Sequence, residues 1–81
     1  MKVYKYIIGA AEGVVIAKKC KQGADHKRVL VKLIPNGQTK IDRSKEFLNA
    51  EAGKVDDYVV KALREEYFWT KEPIYLDPID F

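Results

Sequence analysis

Arg28-Val-Leu-Val-Lys-Leu-Ile34, followed by the turn Pro35-Asn36-Gly37, is the stretch of sequence that decides the fold. Its β-branched and leucine side chains predict a strand. Proline cannot continue a central ladder and Asn-Gly tolerates positive φ, so the chain is expected to turn there. Apolar residues occupy both odd- and even-numbered positions of this strand, and therefore both of its faces. This pattern predicts partial cover on both sheet faces, from a helix on one side and from the C-terminal tail or a second protomer on the other.

Upstream of this strand, the sequence predicts a hairpin. Residues 2–8 and 13–20 are rich in β-branched and aromatic side chains, which favour strands. Between them lies Gly9-Ala-Ala-Glu-Gly13, whose two glycines supply backbone freedom for a connection. Downstream of the turn, Gln38–Asp42 is predicted to be a short returning strand.

The second half of the chain is predicted to be helical and then extended. Asp42 or Ser44 is a candidate N-cap for a short helix over Lys45–Ala52, ended by Gly53. A second helix is marked by apolar residues at three- and four-residue steps, and Asp56 and Asp57 near its start suit the helix dipole. This stripe consists of Val55, Tyr58, Val59, Ala62, Leu63 and Tyr67. Two prolines near the end of the chain exclude a third helix, so Ile74–Leu76 is expected to form an edge strand or a tail packed on the core.

Together these elements predict one α+β domain over residues 1–81. We expect a curled antiparallel sheet of about four strands, with one or two C-terminal helices packed on one face; a small barrel is the alternative. The domain divides into a basic β-rich part (1–43), a helical part (44–68) and an extended acidic-apolar tail (69–81). Residues 1–46 carry eleven Lys or Arg against four acids, whereas residues 47–81 carry four against eight. Such an asymmetry marks a candidate electrostatic surface on the first half, although lysine-rich strands also discourage edge pairing.

Several classes of function are disfavoured by composition. Cys20 and His26 are the only cysteine and histidine, which argues against a disulfide or a Cys/His zinc site within one chain. No apolar run has the length of a membrane span, and no secretory pattern is evident, so a cytoplasmic protein without membrane contact is expected. No phosphate-binding or dinucleotide motif is present. We therefore expect no enzyme, no cofactor and no metal.

The first functional hypothesis is a protein-binding module, such as an inhibitor, adaptor or accessory regulatory factor. Nine aromatic residues are many for 81 positions, and aromatic side chains anchor interfaces. Trp69, Tyr75 and Phe81 are the candidate partner-binding residues. The partner is a protein of unknown identity, a second copy of the chain included. The competing interpretation is that a small core needs these side chains.

The alternative hypothesis is nucleic-acid binding by the basic N-terminal sheet. Tyr4 and Tyr6 lie two residues apart, hence on one sheet face, where they can stack with unpaired bases. A cluster of basic residues around the second loop can neutralise phosphates, and it consists of Lys18, Lys19, Lys21, Lys27 and Arg28. The competing interpretation is that the two tyrosines face the core and the lysines only solvate the surface.

Overall fold

A computed structural model describes residues 1–22, 26–36, 43–48, 50–51 and 53–79, with the backbone alone for residues 20–22 and 26–27. The element order is β1 (Lys2–Ile8), β2 (Ala11–Gln22), β3 (His26–Pro35), β4 (Arg43–Leu48), α1 (Val55–Glu66) and β5 (Ile74–Pro78). The strands form one sheet in the order β4-β3-β2-β1-β5, and every neighbouring pair is antiparallel. The α+β class and the antiparallel sheet are thus confirmed, with five strands in place of about four and with one helix.

The predicted hairpin of the first two strands is confirmed. Ile8 pairs with Ala11, so only Gly9 and Ala10 make the turn. Gly9 has φ +58°, a left-handed conformation that glycine adopts without steric cost. With a turn of two residues, strand β2 begins at Ala11, two residues earlier than the pattern predicted.

The core lies between α1 and one face of the sheet. Strand alternation turns Tyr6, Val15 and Leu33 towards the helix, which contributes Val59 and Leu63 from its apolar stripe. All five side chains are fully buried, which supports the prediction of α1 from its periodicity. Acidic residues occupy the first turn of α1 and Arg64 the last, an arrangement that complements the helix dipole.

The predicted helix over Lys45–Ala52 is wrong where the structure describes it, because Arg43–Leu48 forms β4. This segment pairs with β3 over six residues. On the helix side of β4, Lys45 Nζ lies 3.7 Å from a carboxylate oxygen of Glu66, and the ring centroids of Phe47 and Tyr58 are 5.1 Å apart. Pairing to β3 and these contacts with α1 outweigh the local preference of Lys, Glu and Leu for helix. The predicted strand Gln38–Asp42 lies outside the described residues.

The tail forms the edge strand β5, one of the two alternatives that the sequence allowed. It pairs with β1, Ile74 opposite Ile8 and Pro78 opposite Tyr4. The amide of Ile79 donates to the carbonyl of Val3 at 2.9 Å, so strand alternation directs the nitrogen of Pro78 away from β1. Pro78 therefore costs the ladder no hydrogen bond. In the part of the chain with assigned structure, no helix is long and apolar enough to cross a membrane.

Candidate protein-binding surfaces

One face of the sheet points away from α1, and we call it the open face. It is formed by the odd-numbered residues of β1 and β5 and the even-numbered residues of β2, β3 and β4. Its apolar members are Val3, Ile7, Val14, Ile16, Leu30, Ile34, Leu48 and Tyr75, joined by Ile79 directly after β5. Since α1 packs on the other side, no further helix or strand among the described residues is left to cover it.

The apolar residues of the open face are neighbours across the strands. Val3 lies opposite Ile16 and Val14 opposite Ile34 in the register. Ile7 lies opposite Tyr75, and both are exposed, the tyrosine by 64%. These cross-strand pairs make an apolar strip that runs over four of the five strands. Val14, Ile16 and Ile34 are half-buried and Val3 is 7% exposed, so the pair Ile7–Tyr75 is the most exposed of these cross-strand pairs. Apolar surface on a sheet face that no described element covers is a candidate interaction site.

The charged residues around the strip carry both signs. Lys5 lies opposite Asp77, and Arg28 Nη1 lies 3.2 Å from a carboxylate oxygen of Glu46. The outward positions of the central strand β2 read Glu12, Val14, Ile16 and Lys18, which is acid, apolar, apolar, base. Lys18 has no acidic partner among the residues with described side chains. Glu12 accepts a hydrogen bond of 2.5 Å from the side-chain amide of Asn36.

The predicted partner-binding residues occupy different places. Tyr75 is on the open face, as described above. Trp69 is 65% exposed and lies just beyond α1, edge-on to the buried ring of Tyr67 at a centroid distance of 5.5 Å. Phe81 lies outside the described residues. The structure therefore does not bring Trp69 and Tyr75 into one surface.

The predicted stacking role of Tyr4 and Tyr6 is corrected by their burial. Both rings face α1 and are 7% and 0% exposed, so neither presents a face to a base. The hydroxyl of Tyr4 donates to Asp56, and the hydroxyls of Tyr6 and Tyr67 share a hydrogen bond of 2.5 Å. The shared parity was read correctly, but two apolar parities in β1 did not reveal which one faces the helix.

The predicted basic cluster is divided by the pleat of the sheet. Lys18 and Arg28 lie on the open face, whereas the adjacent position Lys19 lies on the helix side. The side chains of Lys21 and Lys27 lie outside the described part of the structure. Among the basic residues that were predicted as a cluster, only Lys18 and Arg28 are thus shown to share a face.

The tyrosine environments hold these groups in their neutral form. Burial, the hydrogen bond to Asp56 and the charge of that carboxylate raise the pKa of Tyr4 to about 12. Burial and the hydrogen bond with Tyr67 raise the pKa of Tyr6 further. The hydrogen bond from Tyr4 and the charge of Lys2 lower the pKa of Asp56, against a smaller opposing effect of desolvation. These groups act as structural hydrogen-bond donors and acceptors at neutral pH.

A second surface is a cleft of about 610 Å³ beside the β1–β2 turn, which we call the aromatic cleft. It lies between the hairpin and the segment that follows α1. Its lining residues are Ile8, Gly9, Ala10, Ala11, Tyr67, Trp69, Thr70 and Glu72. Sequence reasoning found Trp69 but missed Glu72 and the small residues of the turn, because only the fold brings the hairpin to the end of the helix. Within the described ranges, no three His, Cys, Asp or Glu side chains are placed to hold a metal ion.

Comparison with protein-family models, with curated proteins and with solved structures finds no match for this chain.

Proposed function

We propose that this chain is a non-enzymatic protein-binding module, of the class of inhibitors, adaptors and accessory factors, and that the open face is its contact surface. The observation that carries the proposal is the apolar strip across β3, β2, β1 and β5, which no described element covers. Antiparallel sheets with one solvated face ordinarily alternate apolar and polar residues, whereas here Val14 and Ile16 occupy the outward positions at the centre of the sheet. Covering them with another protein removes apolar surface from water.

A second copy of the chain is the occupant that the open face fits best. A two-fold axis between the sheets, perpendicular to β2 and passing midway between Val14 and Ile16, sets two copies of β2 antiparallel. Val14 then meets Ile16 of the second copy, and Glu12 meets Lys18 of the second copy. The central strand is therefore complementary to itself in both hydrophobicity and charge, which a symmetric two-fold interface requires. Facing sheets pack about 10 Å apart, the distance at which such side chains interdigitate.

The size of the open face agrees with a reversible dimer. The sheet has five strands about 4.8 Å apart, and each is paired over a length of about six residues at about 3.4 Å per residue. The open face therefore measures roughly 24 by 20 Å. Two such faces bury on the order of 1,000 Å², at the lower end of specific interfaces. We therefore expect a dimer that dissociates on dilution through the micromolar range.

Charge reversal on β2 tests this arrangement. Glu12→Lys alone sets lysine against Lys18 of the other copy, and Lys18→Glu alone sets glutamate against Glu12. Each variant should dimerise at least about tenfold more weakly than the unchanged chain. An equimolar mixture of the two variants should dimerise again, because the mixed pair has opposite charges at both contacts. Sedimentation velocity from about 5 to 500 µM measures all four samples.

The mixture is decisive because the charges at positions 12 and 18 of one chain are too far apart to neutralise each other. Glu12 and Lys18 are six residues apart along β2, about 20 Å, which exceeds the screening length of about 10 Å at 0.1 M salt. Lys19→Glu is the matched control, since it makes the same charge change on the other side of the same strand and should leave the dimer unchanged. A monomeric unchanged chain, or a mixture no more associated than its components, would overturn the proposal.

Nucleic acid is the second candidate partner, and one observation favours it. Lys5, Lys18, Arg28 and Lys32 all belong to the open face, so a phosphate backbone has four cations within its reach. Fluorescence anisotropy of labelled single- and double-stranded oligonucleotides at about 50 and 200 mM salt tests this candidate. Binding that weakens steeply with salt and is reduced by Lys32→Glu would support it. Absence of binding at the lower salt concentration would retire it.

A further inference from the structure

The aromatic cleft combines an exposed indole with a carboxylate that forms no ion pair with the described side chains, and we propose that it binds an arginine side chain presented by a segment of a partner protein. This site is separate from the open face. Its only charged lining residue is Glu72, and its most exposed lining aromatic is Trp69. A guanidinium group can stack on an aromatic ring while it donates to a carboxylate, which makes arginine the matching ligand.

The exposure of Trp69 follows from how α1 ends. The amide of Tyr67 donates to the carbonyl of Leu63 at 2.9 Å, and the Tyr67 ring turns into the core. Phe68 and Trp69, which follow, stay outside the core. Phe68 is 79% exposed, and its ring lies edge-on to that of Trp69 with the two centroids 5.4 Å apart. Trp69 thus contacts the rings of Tyr67 and Phe68 while most of its own surface stays exposed. Its surface is therefore available to a ligand.

The carboxylate of Glu72 is held beside the same cleft. Its side chain lies over the turn, since a Cβ built on Gly9 would lie 2.9 Å from Glu72 Cγ. The backbone around it is fixed, because Arg64 Nη1 donates to the Glu72 carbonyl at 2.8 Å and the Glu72 amide donates to Thr70 Oγ1 at 3.2 Å. No cation with a described side chain pairs with the Glu72 carboxylate.

The cleft is large enough for a long side chain. Gly9, Ala10 and Ala11 contribute no long side chains to the turn side of the cleft, where the stem of Glu72 lies over Gly9. A volume of about 610 Å³ admits one long side chain with its flanking peptide backbone. The charge of Glu72, the exposed indole and this volume together favour an arginine in an exposed peptide segment.

Trp69 is the only tryptophan of the chain, so its fluorescence reports on the cleft directly. We would titrate the intact protein with acetyl-Gly-Arg-Gly-amide and with the same peptide carrying citrulline, which keeps the shape of arginine without its charge. The arginine peptide is expected to change the Trp69 emission saturably in the millimolar range. The citrulline peptide is expected to bind at least about fivefold more weakly, and a lysine peptide to fall between the two.

Glu72→Gln tests the role of the carboxylate. It removes the charge while leaving the backbone contacts of residue 72 in place, so the protein should remain folded. The arginine peptide is expected to bind about fivefold more weakly to this variant, as for loss of a partly exposed ion pair. Asp57→Asn is the matched control, with the same charge change at the opposite end of α1, and it should leave the affinity within twofold. Equal binding of the citrulline peptide, no effect of Glu72→Gln, or no saturable change at all would each overturn the proposal without affecting the open face.

Discussion

Gly13 offers the sharpest test of the packing between the first hairpin and strand β3. A Cβ at this position would lie 2.5 Å from the carbonyl oxygen of Ile34, 2.7 Å from the hydroxyl oxygen of Tyr6 and 2.8 Å from the Cα of Pro35. Two of these three neighbours are backbone atoms in the adjacent strand β3. The backbone of Gly13 itself is not left-handed, so the need for glycine there is purely steric.

The magnitude follows from these contacts. Gly13→Ala must push β2 away from β3 or displace the Tyr6 ring, and overpacking of this kind costs about 1–3 kcal/mol. The lower entropy of the unfolded alanine chain returns about 0.5 kcal/mol. We expect a net loss of about 0.5–2.5 kcal/mol in the free energy of unfolding, which for a domain of this size lowers Tm by roughly 2–20 °C. Urea unfolding and a thermal scan, both followed by circular dichroism, measure the two quantities.

Gly53 provides the control, because it isolates backbone strain from crowding. It has φ +82°, but a Cβ there would have no neighbour within 4 Å among the residues that the structure describes. Gly53→Ala should cost about 1 kcal/mol and Gly53→Asn less, since asparagine tolerates left-handed backbone. At Gly13 the order should be reversed, with asparagine worse than alanine because it is larger. A Gly13→Ala protein within 0.5 kcal/mol of the unchanged chain, or a Gly13→Asn protein more stable than Gly13→Ala, would refute the steric reasoning.

Two further predictions concern the buried tyrosines. Tyr6→Phe and Tyr67→Phe should each cost about 1–2 kcal/mol of unfolding free energy, because the remaining hydroxyl loses its partner in the core. The double variant should cost less than the sum of the two single variants. Strict additivity in a double-mutant cycle measured by urea unfolding would contradict this hydrogen bond. Stability should also depend on pH at both extremes. The pKa of Asp56 is lowered on folding, so its contribution is present above about pH 4 and lost as the pH falls through the folded value. The pKa of Tyr4 is raised to about 12, so its contribution is present below about pH 10 and lost between there and pH 12. In a plot of unfolding free energy against pH, Tyr4→Phe should reduce the pH dependence on the acidic side and part of that on the alkaline side. Lys2→Gln should reduce it on the acidic side only. An acidic side unchanged by Tyr4→Phe would contradict the role of the hydrogen bond between Tyr4 and Asp56.

Local patterns were sufficient for most elements of this fold. β-branched and aromatic composition predicted the first hairpin and strand β3, and a hydrophobic period predicted helix α1. Strand β4 was not predicted, since Ser44-Lys45-Glu46 has a capping residue and good helix formers. Its Phe47 is placed by partners that are distant in sequence, Val29 across the ladder and Tyr58 on α1. Such non-local pairing cannot be read from a window of a few residues.

The candidate surfaces were predictable only in part, for a related reason. Trp69 and Tyr75 were identified by residue type, but the sequence did not decide whether the tail forms an edge strand or packs on the core. With the tail placed as an edge strand, no described helix or strand covers the face opposite α1. In the same way, Glu72 joined the aromatic cleft only once the β1–β2 turn was brought beside the end of α1. Composition identified the chemistry, and the topology decided which groups share a surface.

The outward-directed nitrogen of Pro78 has a consequence for how this protein can assemble. An incoming strand that tried to extend the sheet beyond β5 would find a missing donor at that position, and β5 itself is only five residues long. The opposite border, β4, is only six residues long. Growth by sheet extension, the route to fibrils, is thus obstructed at one border and offered little length at the other. The association across the open face that we propose would, by contrast, use that face once and stop at two chains. A protein of this design can therefore present an apolar strip to a partner while keeping its risk of open-ended aggregation low.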